Sequence, residues 1–124
     1  MNVNYAPSYI DEVFERRDDY ALDAIITVRA KSAPLPDECA LFTRVNAWFG
    51  SDWQYYEVTK EEDFIELCRL LKKFGMQDIL TMYVESRKSQ TDNSEWFWQH
   101  RSAVFERLFE IAKRSEDFLK KNEG

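Results

Sequence analysis

The fold turns on the stretch Val45-Asn46-Ala47-Trp48-Phe49-Gly50-Ser51-Asp52-Trp53-Gln54-Tyr55-Tyr56-Glu57-Val58, where five aromatic side chains surround one glycine. Such a run is too apolar for an idle loop and too interrupted for one continuous helix. It reads either as a helix–loop–helix corner that plugs a core or as an exposed aromatic surface. Trp48 and Phe49 lie at helical spacing from Leu41, Phe42 and Val45, on a helix that begins near Pro36 with Asp37 and Glu38 at its electropositive end. Gly50 is expected to end that helix, and Thr59-x-x-Glu62 has the form of a capping box opening the next. Trp53, Tyr55 and Tyr56 belong to no periodic face, so the connector they occupy either folds inward or offers a surface.

Downstream of the aromatic run, Phe64, Leu67, Cys68, Leu71 and Phe74 predict a third helix that stops at Gly75. Met76, Ile79, Leu80, Tyr83 and Val84 predict a fourth, ending near Arg87. A polar loop over Ser89–Ser94 leads through an Asp92-x-x-Glu95 cap into a last helix from Glu95 to about Lys121. Its apolar positions (Phe97, Trp98, Val104, Phe105, Leu108, Phe109, Ile111, Ala112, Phe118 and Leu119) cover about half its circumference. A helix so broadly apolar is expected to touch neighbours on two sides, at the centre of a bundle or in a dimer interface.

Upstream, Ser8 is the expected N-cap of a first helix. Ile10, Val13, Phe14, Tyr20, Ala21, Ala24, Ile25 and Val28 supply its apolar face, and Asp11, Glu12, Glu15, Asp18, Asp19 and Asp23 line the other. Leu22 and Ile26 intrude on the acidic face, so the helix either breaks near Asp18-Asp19 or is buried on both sides in its second half. A strand over Ala24–Ala30 is the lesser alternative. The prediction is an all-α fold, a single-domain bundle of five or six helices over residues 1–124 with a long C-terminal helix.

At 124 residues, 44% hydrophobic and 15% aromatic, the chain can bury a core without metal or disulfide staples. Its apolar segments are short or interrupted by charge, which predicts no membrane span. The opening Met1–Pro7 has neither a basic nor an apolar leader region, so no secretory signal is expected. Cys39 and Cys68 read as isolated reduced thiols, and the expected compartment is the cytoplasm. The net charge of −6 is unevenly distributed: residues 1–62 hold twelve acidic and six basic residues, whereas residues 63–124 hold eleven of each. Binding a phosphate backbone over the whole surface is therefore disfavoured.

The sequence leans away from an enzyme. His100 is the sole histidine, and no Cys-x-x-Cys, His-Glu-x-x-His or Glu-x-x-His pairing occurs. No metal or other cofactor is expected, because three glycines build neither a dinucleotide fingerprint nor a phosphate loop. Cys68 sits at a core position, and Asp37-Glu38 ahead of Cys39 raise a thiol pKa rather than activate it. The pattern of helical ribonucleases, an arginine four to six residues ahead of a histidine, is absent: Arg87 is the nearest arginine before His100. No catalytic residue is assigned.

Two features point to binding. Asp11, Glu12, Glu15, Asp18, Asp19 and Asp23 span about 18 Å of helix, a spacing of the same order as successive phosphates, so they suit a basic partner; the bland reading is a solvated face softened by Arg16 and Arg17. Trp96-Phe97-Trp98 sweeps about 200° of helix, so these residues cannot all face one core. Trp96 is expected off the main stripe near His100, packed under the polar loop or against a second subunit, or stacking on a base with His100 and Arg101. Trp53, Tyr55, Tyr56, Trp96 and Trp98 are the candidate aromatic surface.

The string Trp48-Phe49-Gly50-Ser51-Asp52-Trp53-Gln54-Tyr55-Tyr56, with the later helix Phe64–Phe74 ending at Gly75 before Met76–Leu80, resembles a family of small acidic helical proteins named after a bacterial DNA-mimic protein. The resemblance covers the middle third of the chain. Gln54, Tyr55 and Tyr56 correspond to the family's aromatic turn and Gly75 to its later break, while Gly50 stands where the family tends to pair glycines. It implies an all-α fold and binding through an acidic surface.

The leading expectation is thus a non-catalytic helical protein that binds a protein partner, a basic one for the acidic face, with a second copy of the chain as a further candidate partner. The alternative is a nucleic-acid-associated or nucleic-acid-processing protein using Arg69, Lys72, Lys73, Arg101, Arg107, Lys113 and Arg114 with Trp96 and Trp98.

Overall fold

A computed structural model describes residues 5–51, 54–89 and 94–120. Among these residues all regular structure is helical: α1 (Pro7–Arg16), α2 (Asp19–Arg29), α3 (Asp37–Ser51), α4 (Gln54–Val58), α5 (Glu61–Lys73), α6 (Gln77–Ser89), α7 (Ser94–Lys113) and α8 (Glu116–Leu119). The fold is all-α as expected. It has eight helices among the described residues rather than five or six, because the first and last expected helices each divide and the short α4 appears between α3 and α5. None is long and apolar enough to cross a membrane.

Helix boundaries follow local chemistry. Pro7 at N1 starts α1 one residue before Ser8; Ala6 is the N-cap, with no side-chain capping bond, so Ser8 is not the cap expected of it. The capping box at Thr59 does not form either. The Thr59 N–H donates to the Tyr55 carbonyl at 3.0 Å, closing α4, and Lys60 becomes the N-cap of α5. Glu61, Glu62 and Asp63 in the first turn of α5 and Lys72 and Lys73 in its last still match the helix dipole. Gly50 does not stop α3, which continues to Ser51. The expected long last helix ends at Lys113. There Arg114 and Ser115 donate three residues back to Ile111 and Ala112, tightening the end of α7 before α8 begins.

The chain divides into two compact units, residues 1–43 with 103–124 and residues 44–102. In the first, Phe14 and Phe105 meet Phe109 and Phe42 respectively edge to face, at centroid distances of 5.8 and 5.6 Å, and Phe42 meets Phe109 at 5.1 Å. Ile10, Leu22, Ile25, Ile26, Leu41, Leu108 and Leu119 complete that core. Arg29, buried on α2, donates from Nε to the Leu119 carbonyl at 2.9 Å and so anchors α8. Lys120 bridges Asp11 and Glu116.

The second unit is built on aromatics. Trp48 is fully buried and packs edge to face on Phe49, Tyr83 and Phe97 at 5.2, 4.9 and 5.2 Å. Phe64 stacks on Tyr83 at 4.7 Å, and Leu67, Leu70, Leu71 and Met76 supply aliphatic volume. The α5–α6 corner closes at Gly75, φ 71°, with Gly75 N–H on the Lys72 carbonyl and Met76 N–H on the Leu71 carbonyl at 2.9 Å. That pair of bonds satisfies the last carbonyls of α5 in the Schellman manner.

Candidate binding surfaces

The acidic face belongs to two helices, not one. Arg17 adopts a left-handed conformation, φ 52°, and its N–H and that of Asp18 bond to the carbonyls of Phe14 and Val13 at 3.2 and 3.1 Å. Asp18 then caps α2, accepting the Ala21 N–H at 3.0 Å. The break expected near Asp18-Asp19 is the alternative that occurs, and residues 24–29 are helical rather than extended. A left-handed arginine is costly, and its side chain compensates. Nη1 donates to the Phe14 carbonyl at 2.6 Å, Nε and Nη2 grip both carboxylate oxygens of Glu106 at 2.8 and 2.7 Å, and the guanidinium lies 5.5 Å from the Phe109 ring centroid. The same hydrogen bond holds the Glu106 carboxyl below its ordinary pKa and raises that of Arg17.

The break changes which residues face outward. Leu22, Ile25, Ile26 and Arg29 form the buried stripe of α2. Tyr20 lies about 160° from Leu22 around that helix and is 85% exposed, with Ala24 and Thr27 exposed beside it. The apolar role expected of Tyr20 and Ala24 is corrected accordingly: they carry the phase of a continuous helix that does not exist. Tyr20 was absent from the sequence-derived candidates. The only sign of it was the misfit of Leu22 and Ile26, together with Asp18 as a strong capping residue.

Of the six carboxylates, Asp11 is held by Lys120, Glu12 pairs with Arg16 across one turn, and Asp18 is occupied as a cap. Glu15 is exposed on α1, while Asp19 and Asp23 are half-buried on the flank of α2 beside Tyr20 and engaged in further interactions. The single ridge expected of a phosphate mimic is therefore two short rows, separated by the turn at Arg17.

The aromatic candidates also separate. Tyr55 is buried, its hydroxyl 2.6 Å from that of Tyr83, and so belongs to the core rather than to a surface. Tyr56 is half-buried and donates to the Tyr83 carbonyl at 3.0 Å. The short helix α4 turns both inward; Trp53, like Asp92 of the expected cap, lies outside the described residues. Trp96 is half-buried, with one face stacked on His100 at 4.6 Å and its edge near Trp48, Phe49 and Phe97. The His100 ring is exposed, and its Nδ1 lies 2.9 Å from the Trp96 carbonyl. Trp98, assigned by periodicity to the apolar stripe as well as to the aromatic surface, stands 81% exposed on α7.

Burial, with Glu38 adding to it, pushes the Cys39 thiol up to about 12. Cys68 is half-buried, not fully in the core, and burial raises it too. Desolvation raises Tyr55 and Tyr83 as well. Among the described residues no three of His, Cys, Asp or Glu gather in a metal-binding group. Of the basic residues in the alternative reading, Arg69 grips Glu66 at 2.6 Å on its own helix; elsewhere on α6, Arg87 pairs with Glu61 while lying 4.1 Å from the Phe64 ring centroid.

The chain matches no protein-family model, no curated protein and no solved structure.

Proposed function

We propose that this protein is a non-catalytic helical binding protein that acts through protein–protein contacts, presenting the outward face of α2 and the adjoining carboxylates of α1 to a basic partner. One observation carries the reading: Tyr20 projects into solvent from the first turn of α2, 85% exposed, with Asp19 and Asp23 along one flank of it. Exposed tyrosines are effective anchors, because a rigid ring buries large area at little entropic cost and its hydroxyl finds a polar partner. Carboxylates around such an anchor steer and select cationic partners. The interrupted acidic rows fit a folded basic surface or peptide better than imitation of a continuous nucleic-acid strand.

The test is a low-salt titration of the full chain with a lysine- and arginine-rich helical peptide, alongside single- and double-stranded DNA and RNA. The expected result is peptide binding that weakens about tenfold or more on Tyr20→Ala, the size of a modest anchor loss. Micromolar, steeply salt-dependent binding of nucleic acid without peptide binding contradicts the proposal and favours the basic–aromatic alternative.

A further inference from the structure

α2 is apolar on two opposite sides. Leu22, Ile25 and Ile26 fill its buried stripe, with Arg29 drawn inward among them. Tyr20, Ala24 and Thr27 stand exposed on the other side, Ala24 and Thr27 within about 40° of Tyr20 around the helix. Ala21 and Val28, half-buried, flank that row on one side; Asp19 and Asp23 flank it on the other. The row thus runs about 10 Å along the helix with no charged residue in it. By contrast, α5 turns Glu61, Glu62, Arg69 and Lys72 outward. A surface helix ordinarily opposes a polar, charged face to its buried stripe, and one apolar all round is covered on every side. The row also offers few polar atoms. Thr27 Oγ1 donates within its own helix, to the Asp23 carbonyl at 2.9 Å, which leaves the Tyr20 hydroxyl.

Given that the α2 face is the partner surface, on which this rests, we infer that its occupant is a single amphipathic α-helix laid along α2. The occupant's apolar row covers Tyr20, Ala24 and Thr27, and its cations stay at the rim. A charged group set over the row would be buried without a counter-charge, which is costly, so the centre of the occupant is apolar. Ala24 carries only a methyl group, which lets a second helix axis approach closely. The other recurring ways of holding a peptide need different features. Strand addition needs a sheet edge, and all regular structure among the described residues is helical. An extended proline-rich ligand needs a groove of several aromatics, and Tyr20 is the one aromatic residue of α2. An acidic ligand needs an arginine cluster, and Arg29, the one basic residue of α2, is buried. Asp19 and Asp23 have interactions of their own, so they draw cations by long-range attraction rather than by pairing afresh. The apolar row therefore sets the lifetime of the complex, and the carboxylates set its rate of encounter.

Stopped-flow titration of the full chain with two synthetic peptides of about 20 residues, long enough for a helix to hold, tests it. One peptide carries leucine and alanine in a single helical stripe with lysine and arginine outside it. The other has the same residues scrambled so that the stripe is lost. The amphipathic peptide is expected to bind at least about tenfold more tightly and to gain helical circular dichroism on binding. Ala24→Gln, neutral and compatible with a helix, puts bulk into the row. It should speed dissociation about tenfold and leave the unfolding curve unchanged. Ala24→Ser, which stays small, should bind as wild type does. Raising the salt concentration should slow association and leave dissociation unchanged. Two peptides that bind equally, both weakened by Tyr20→Ala but indifferent to Ala24→Gln, overturn the helix as occupant and leave the partner surface standing. Binding of neither peptide, or binding indifferent to Tyr20→Ala, overturns the surface itself and the helix with it.

Discussion

Two helical hairpins in this molecule end their first helix in the same way with opposite residues. At the α5–α6 corner the left-handed position is Gly75, φ 71°; at the α1–α2 corner it is Arg17, φ 52°. Each donates two backbone N–H groups to the last carbonyls of the preceding helix. Glycine accepts that conformation without steric cost, whereas any residue with a Cβ does not. Arg17 holds it because its guanidinium reaches the Phe14 carbonyl, Glu106 and the Phe109 ring. One corner is therefore encoded locally and the other by a carboxylate 89 positions away.

The largest effect expected from breaking this comparison is at Gly75. A Cβ there would meet nothing within 4 Å, so Gly75→Ala isolates the backbone cost, and denaturant unfolding should show a loss of about 1–2 kcal/mol. At the other corner the same quantity is reached by difference. Arg17→Ala removes the side-chain contacts and keeps the left-handed cost; Arg17→Gly removes both. Arg17→Gly should therefore be the more stable of the two by about the same 1–2 kcal/mol. Equal stabilities would mean that the turn relaxes once the arginine is gone.

Gly50 gives the opposite sign. It is exposed in α3, outside the left-handed region, and a Cβ there also meets nothing, so Gly50→Ala should stabilise by about 0.5–1 kcal/mol. The smallest effect is the pH dependence of the Arg17 corner. Glu106 has a folded pKa below its unfolded value. Its contribution is thus present above the ordinary carboxylate range and is lost as pH falls through the depressed value. The stability advantage of wild type over Glu106→Gln should shrink on acidification through that window and be flat near neutrality.

The contrast also shows what the sequence could reveal. The helices around Leu41–Phe49, Phe64–Leu71 and Ile79–Tyr83 were legible from spacing, and Gly75 from its type, because each signal is local. The misfit of Leu22 and Ile26 marked a break near Asp18-Asp19 as one of two alternatives, but nothing marked Arg17 as its left-handed residue, since arginine carries no turn preference and its partner Glu106 lies on another helix. Running one helical phase across that break placed Tyr20 and Ala24 on the apolar face, where the structure has them exposed. The inward turn of Tyr55 depended on its hydroxyl partner, Tyr83, on α6. Thr59 was misread because α4, five residues long, has too few positions for a period to register. Trp98 matched the apolar stripe in type alone, and only the packing around α7 places it outside.

The account rests on Tyr20 being turned outward by the Arg17 break and used there. The most direct measurement is the low-salt titration of the basic helical peptide against wild type and Tyr20→Ala, with the unfolding curve of each recorded in the same buffer. The prediction is an unchanged unfolding midpoint and an affinity reduced about tenfold or more. Equal affinity for the two proteins would contradict the proposed surface, and a stability loss of about 3 kcal/mol or more would show Tyr20 to be a core residue after all.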